Sequence, residues 1–175
     1  MSMRNCFWGL MMVGAFSAQA EVLTPHLGKP ASKELLSAWS NDIFPDGTGL
    51  PAGQGTAAQG KVVYQQYCQN CHGPEGKGGS ADELAGAAHG LKDNPPDKTI
   101  GTYWPYASTV FDFTRRTMPL DRPGVLSNDQ LYAVTAYLLH LNNLLDQDRV
   151  LNAETLPTIP MPNRDGFVSN YPDGK

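Results

Sequence analysis

Cysteine is scarce in this chain, and its scarcity limits the kinds of site that the chain can build. Only three cysteines occur among the 175 residues. Cys6 stands alone near the N-terminus, whereas Cys68 and Cys71 are three positions apart. A structural zinc site would need a second pair of ligands, and no further cysteine is present to supply it. The cysteines therefore favour a single local site.

Basic charge and long apolar segments are lacking too. The chain has 13 lysines and arginines against 17 acidic residues, a formal net charge of −4, and its lysines are scattered. Nucleic-acid binding is therefore not expected. The apolar run from Phe7 to Phe16 is too short to cross a bilayer. With 41% hydrophobic residues and no internal repeat, the sequence predicts one modest core in a single domain with extensions.

The N-terminus has the organisation of an export signal. Arg4 supplies a positive start, the apolar run follows, and Ala18-Gln19-Ala20 offers a small-x-small cleavage site. We expect cleavage after Ala20 and delivery to the periplasm. Cys6 would be lost with the signal. The remaining 155 residues would hold two cysteines and 12 basic against 17 acidic residues, a net charge of −5.

The most informative stretch is Cys68-Gln69-Asn70-Cys71-His72, the C-x-x-C-H signature of covalent c-type haem attachment. On a helical turn, each sulfur can add to a haem vinyl group, and His72 then serves as the proximal iron ligand. One such motif predicts one haem c, and both remaining cysteines would be used, so no disulfide is expected. There are two alternatives, a redox dithiol and half of a zinc site. The redox dithiol would require a βαβ context, which is missing here.

The chain divides into a signal peptide over residues 1–20, an arm and linker over 21–58, a haem domain over 59–146 and a tail over 147–175. We expect the arm, which includes a short helix over 31–39, to wrap the domain surface, although a docking role stays open.

Apolar spacing predicts helices and no convincing strand, so the fold class is all-α, with about three to five helices around the haem. A first helix leads from Ala57 into Cys71, and a loop follows that contains one or two helical turns over 81–88. The next helix begins near Pro105 and ends before Met118-Pro119. The last begins with the capping box of Ser127 and Gln130 and continues to about residue 142.

The sixth iron ligand decides between electron transfer and haem enzymology. Met118 is best placed, because it lies on a loop between two helices, 46 residues after His72. Its alternative role is that of an adaptable core side chain. The other candidates in the mature chain are Met161, His26, His89 and His140. Ligation by His72 and Met118 would raise the reduction potential and leave no open position for a substrate.

Three side chains are candidates for the haem pocket. Tyr103 and Trp104 carry a polar tip on an apolar body, which suits a wall that reaches the propionates, although ordinary core packing is an equal alternative. Arg116, like its neighbour Arg115, could pair with a propionate or complement the C-terminal end of its helix dipole.

These features resemble class I cytochrome c and, more narrowly, are similar to the cytochrome subunits of periplasmic sulfite and sulfane dehydrogenases. The resemblance covers about residues 59–168 and lies in Cys68 to Gly73, Lys98 to Ala107, Arg115 to Pro119, Tyr132 to Leu138 and Met161 to Phe167. It implies that the protein is an electron-transfer cytochrome, not an enzyme, with Cys68, Cys71, His72 and Met118 in their family roles. It also implies a molybdenum-cofactor sulfite or sulfane dehydrogenase as electron donor and a further c-type cytochrome or oxidase as acceptor.

Two other functions stay open at this point. The same cytochrome could serve another periplasmic dehydrogenase, for instance a quinoprotein alcohol dehydrogenase, because fold does not determine partner. A haem enzyme with a labile sixth ligand would need an acid–base group beside the iron, for which His89 and Asp121 are the candidates.

Overall fold

The computed structural model describes residues 28–39, 42–168 and 170. Its helices, in chain order, are α1 (Lys33–Trp39), α2 (Ala57–Tyr67), α3 (Gln69–His72), α4 (Ile100–Tyr103), α5 (Ala107–Thr117) and α6 (Asn128–Leu141). Two short antiparallel strands, β1 (Gln54–Gly55) and β2 (Leu151–Asn152), join the arm to the tail. The all-α prediction is confirmed, and α2 to α6 form the compact part.

Capping boxes start both long helices of the central pair. The Thr56 side chain accepts from the backbone of Gln59 at the start of α2, and Ser127 does the same for Gln130 at the start of α6. In each case the glutamine side-chain oxygen accepts a hydrogen bond from the backbone N–H of the cap residue. Four otherwise unpaired N–H groups are thereby satisfied, which fixes where each helix begins.

Helices α2 and α6 cross in direct backbone contact, and this crossing is the centre of the fold. A Cβ atom on Gly60 of α2 would collide with the carbonyl oxygen of Ala133 on α6. One turn further on, the rings of Tyr64 and Tyr137 pack with their centroids 5.4 Å apart. Glycine is therefore required at position 60 by the closeness of the two helices.

Helix α5 also packs against α6. The rings of Phe111 and Tyr132 are both fully buried, and their centroids lie 4.6 Å apart. The tail completes this core with buried apolar side chains after β2, namely Leu156, Ile159 and Met161. Residues 147–161 are thus an integral part of the packed domain.

The helical turns that the sequence predicts over residues 81–88 do not form. The N–H of Leu84 donates to the carbonyl of Gly76, and its own carbonyl accepts from the N–H of Ile100. Both partners lie outside residues 81–88, so the backbone groups of Leu84 are used in tertiary hydrogen bonds and not within a helix.

Part of the arm lies along the domain surface, as expected. The hydroxyl of Tyr132 donates to the carbonyl of Pro51 at 2.8 Å, and the backbone N–H of Gln54 donates to Asp129 at 2.8 Å. Helix α1 differs, because its apolar side chains Leu35, Leu36 and Trp39 are exposed. Within the described part of the chain, no helix is both long and apolar enough to span a bilayer.

Candidate haem-binding site

The two thiols of the attachment motif lie at the junction between α2 and α3. Cys68 ends α2, and its carbonyl accepts from the N–H groups of Cys71 and His72, which closes the single turn of α3. Both cysteines are free, with Cys68 half-buried and Cys71 exposed. Burial, followed by the nearby Cys71 thiol, raises the pKa of Cys68 to about 11, so this thiol is neutral at pH 7.

His72 is oriented by a backbone carbonyl. Its Nδ1 lies 2.8 Å from the carbonyl oxygen of Asp82. Because a carbonyl oxygen can only accept, Nδ1 must carry the proton, and Nε2 then keeps its lone pair for a metal. A hydrogen bond of this kind fixes both the tautomer and the ring orientation of a ligating histidine.

The backbone of Gly73, the residue after His72, is held by a side chain from the crossing of α2 and α6. The hydroxyl of Tyr64 donates to the carbonyl of Gly73 at 2.8 Å. Gly73 itself has a φ of +77°, and a Cβ there would collide with the carbonyl of Lys77. The chain can therefore turn sharply after the motif only because this position is glycine.

Met118 follows α5 directly. Its N–H donates to the carbonyl of Thr114, but its own backbone is extended, with φ −120° and ψ 145°, so the helix ends as the following proline predicts. Its side chain is half-buried. Four residues later the Arg122 guanidinium lies 5.9 Å from the centroid of the Tyr67 ring. This contact brings the side chain of Arg122, on the loop that follows Met118, to the last residue of α2.

The other ligand candidates have partners elsewhere. Met161 is buried in the tail core, 4% exposed. Nδ1 of His89 lies 3.3 Å from an Asp97 carboxylate oxygen, and Nδ1 of His140 lies 3.0 Å from the Leu145 carbonyl oxygen. His26 lies outside the described residues. Among the residues that are described, no three His, Cys, Asp or Glu side chains are grouped as a metal site would require, so the zinc alternative finds no ligand set there.

Tyr103 and Trp104 are half-buried and packed against other aromatic rings. The Tyr103 ring contacts Phe167 of the tail, and the Trp104 ring contacts Phe113 of α5, with centroid distances of 5.4 and 5.5 Å. Packing, which was the alternative role for both, is thus observed. Their contact with a haem stays a prediction.

Arg116 has acidic partners in the described structure, and its contact with a haem propionate stays a prediction. Its Nε donates to Asp112 at 2.8 Å, and Nη2 lies 3.3 Å from a carboxylate oxygen of Asp42. The hydrogen bond to Asp112 is the main reason why the pKa of Arg116 is raised. Arg116 thus links the arm to α5.

Sequence reasoning missed residues whose role depends on distant partners. Tyr64 could have been suspected, since it precedes Cys68 by one helical turn. Asn142 gave no local signal, because its side chain bonds the backbone of Leu84 and Gly101, 58 and 41 residues away. The resemblance included Asn163, but no local pattern indicated that its side chain donates to the Tyr103 carbonyl at 2.7 Å.

Replacing Tyr64 with phenylalanine should lower the free energy of unfolding by about 1–2 kcal/mol, because the buried Gly73 carbonyl loses its donor. Burial raises the pKa of Tyr64 to about 12, whereas an unfolded tyrosine titrates near 10. The stability that this shift supplies is complete below about pH 10 and is lost as pH rises towards 12. The variant should therefore lose less stability over that range than the wild type, as measured by urea denaturation at each pH.

Tyr132→Phe is the matched control, since that hydroxyl also donates to a carbonyl at 2.8 Å but lies against the arm. It should cost a similar amount of stability at pH 7. An unchanged stability for Tyr64→Phe, or an unchanged alkaline loss, would contradict the anchoring role.

The donor set as a whole suits a covalently bound haem c. Two free thiols lie one helical turn apart, an imidazole has its Nε2 available, and a half-buried methionine thioether follows α5 directly. This is the ligand chemistry of c-type haem attachment, and nothing in the donor geometry conflicts with it.

Comparison with known proteins also supports a site for a c-type haem. A family model described as cytochrome c matches residues 57–142. Among solved structures, a chain in the crystal structure of the sulfane dehydrogenase SoxCD from Paracoccus pantotrophus is similar, with 41% sequence identity and a TM-score of 0.78. The similarity covers 86% of this chain and 74% of that one. Comparison with curated proteins gives no match.

Proposed function

This chain belongs to the cytochrome c family, and we propose that it takes electrons from a molybdenum dehydrogenase that oxidises sulfite or protein-bound sulfane sulfur in the periplasm. Membership of the family makes it an electron-transfer protein with a c-type haem, not an enzyme in itself. The observation that carries the pairing with a sulfur dehydrogenase is the 41% identity to a chain of the SoxCD structure over 86% of this chain. The electrons would then pass to a further c-type cytochrome or an oxidase.

The residues that would hold the single haem are those of the candidate site. Cys68 and Cys71 would form the thioethers, His72 would ligate through Nε2, and Met118 would supply the second axial ligand. When bound, haem c supplies reversible one-electron chemistry at its iron. The Asp82 carbonyl favours a proton on Nδ1 of His72, which would leave the Nε2 lone pair for the iron.

Ligation by His72 and Met118 suits a carrier better than an enzyme. With both axial positions filled, oxygen or peroxide would find no vacant site. A neutral thioether favours ferrous over ferric iron, which raises the reduction potential so that the cytochrome can accept electrons. Neither of the acid–base candidates for a haem enzyme is supported, because His89 is engaged by Asp97 and Asp121 pairs with Arg122.

Two segments support the choice of partner. The stretches Tyr103 to Ala107 and Met161 to Phe167, which resemble the sulfur dehydrogenase cytochromes most specifically, lie against each other. Besides the Asn163 hydrogen bond, the Arg164 guanidinium stands 5.2 Å from the centroid of the Tyr106 ring. Their joint presence indicates a shared structural element, which a tail of unrelated origin would not form.

Delivery to the periplasm is part of the proposal. Residues 1–20 lie outside the described residues, so cleavage after Ala20 is a prediction that the mass of the exported protein tests.

The proposal is tested by mixing the oxidised holocytochrome with a purified molybdenum sulfur dehydrogenase and its substrate, and following haem reduction by stopped-flow spectroscopy. We expect reduction that depends on the substrate and stays absent when it is omitted. A parallel mixture contains a quinoprotein alcohol dehydrogenase and an alcohol. Haem reduction in that mixture alone would show that the electron donor is a different dehydrogenase, and the carrier function would be kept. A high-spin ferric spectrum that changes at once on adding cyanide would overturn the carrier function itself.

A further inference from the structure

Asn142, which follows α6 directly, makes several side-chain hydrogen bonds to backbone groups. Its Nδ2 donates to the carbonyl oxygens of Leu138 at 2.8 Å and Leu84 at 3.0 Å. Its Oδ1 accepts from the N–H of Gly101 at 3.1 Å. A Cβ on Gly101 would approach that Oδ1 to 2.7 Å, so the absence of a side chain there makes room for the amide. Asn142 thereby joins the end of α6 to α4 and to the loop that precedes it.

The loop that Asn142 holds is the one that orients His72. Leu84 follows two residues after Asp82, whose carbonyl oxygen lies 2.8 Å from Nδ1 of His72. The N–H of Leu84 donates to Gly76 at 2.8 Å, and its carbonyl accepts from the N–H of Ile100 at 3.2 Å in addition to the amide of the asparagine. The backbone at Leu84 is thus fixed on both its donor and its acceptor side.

We propose that Asn142 is a positioning residue for His72, because by holding Leu84 it fixes the Asp82 carbonyl against the imidazole. A well-placed acceptor at Nδ1 makes the imidazole a stronger electron donor, which favours ferric iron. Loosening the loop weakens that acceptor and raises the reduction potential. This inference rests on His72 as an iron ligand, which is part of the proposed function, but not on the identity of the electron donor.

The test compares Asn142→Ala with the wild type as full-length exported holocytochrome. Two quantities report on the His72 ring directly: the rate at which its Nδ1 proton exchanges with solvent, followed by NMR, and the reduction potential. We expect the Nδ1 proton to exchange about tenfold faster, because the loop loses the hydrogen bond from Asn142 to the Leu84 carbonyl. We also expect the reduction potential to shift to a higher value. The low-spin spectrum should be retained.

Asn152→Ala is the matched control. The Asn152 side chain also bonds the backbone, accepting from the N–H groups of Glu154 at 3.1 Å and Thr155 at 2.9 Å, but it lies on β2 in the tail. This variant should lose a comparable amount of stability while the potential and the proton exchange stay at wild-type values. The control therefore separates a general loss of stability from a specific effect on His72.

The proposal is overturned if Asn142→Ala leaves both quantities unchanged, or if Asn152→Ala shifts them equally. Should Asn142→Ala fail to accumulate, Asn142→Ser keeps one donor and should show the same shifts at smaller size. No dehydrogenase takes part in these measurements. A wrong choice of electron donor therefore cannot affect them, and a high-spin wild type would reveal separately that the proposed iron ligation is wrong.

Discussion

Replacing Met118 with leucine should open the sixth position of the iron. Leucine keeps the apolar bulk of the side chain but has no sulfur, so we expect the ferric haem to change from low to high spin and to bind cyanide or imidazole at once. The reduction potential should fall by roughly 0.2 V, a fraction of the ~0.8 V that axial ligands span. Optical spectra and a redox titration of the holocytochrome measure both effects.

Met161→Leu is the control, because Met161 is the other methionine that we expect in the mature chain. Its side chain is buried with Leu156 and Ile159 in the tail core, and exchange of methionine for leucine in a core costs little, about 1.5 kcal/mol at most. The low-spin spectrum and the potential should therefore be unchanged. If Met161→Leu or His89→Ala abolishes the low-spin state while Met118→Leu retains it, our assignment of the ligand is wrong.

Replacing Gly60 with alanine should destabilise the protein, although alanine is the better helix former. In the interior of α2 the gain in helix propensity is about 1 kcal/mol. This gain is opposed by the collision of the new Cβ with the Ala133 carbonyl oxygen, which is a backbone atom and cannot move away by a rotamer change. Overpacking of this kind costs about 3 kcal/mol. We therefore expect a net loss of about 2 kcal/mol in the free energy of unfolding, measured by urea denaturation of the holocytochrome.

Gly90→Ala provides the comparison, since a Cβ on Gly90 meets only a carboxylate oxygen of Asp93, at an ordinary 3.5 Å. Its stability should change by less than about 0.5 kcal/mol. A Gly60→Ala protein as stable as the wild type, or more stable, would show that α2 and α6 can separate at no cost. The helix crossing would then not be the centre of the fold.

The parts of the fold that local chemistry specifies could be predicted from the sequence. The capping box at Ser127 marks the start of α6, and the proline after Met118 marks the end of α5, because both signals act within one helical turn. The turns expected over residues 81–88 did not form. The backbone groups of Leu84 bond to Gly76 and to Ile100 of α4, and no local pattern indicates partners outside the segment.

The candidate site shows the same division. The attachment motif and His72 could be recognised because the motif consists of five consecutive residues. Arg116, a candidate for the haem pocket or for the end of its helix dipole, makes ion pairs with Asp112 and Asp42, while its contact with a haem stays a prediction. Asp42 lies 74 residues earlier, so this ion pair depends on how the arm packs against α5, which a linear pattern does not contain.

By itself, the sequence determined that this protein is helical, that it carries the C-x-x-C-H haem motif and that a methionine is available on a loop beyond it. These properties depend on residue type and short spacing alone. The tertiary structure decided which carbonyl orients His72, that Arg122 of the loop after Met118 reaches the end of α2, and that the tail packs into the core. Such contacts join residues tens of positions apart, and they arise only when the close crossing of α2 and α6 sets the distances between the loops.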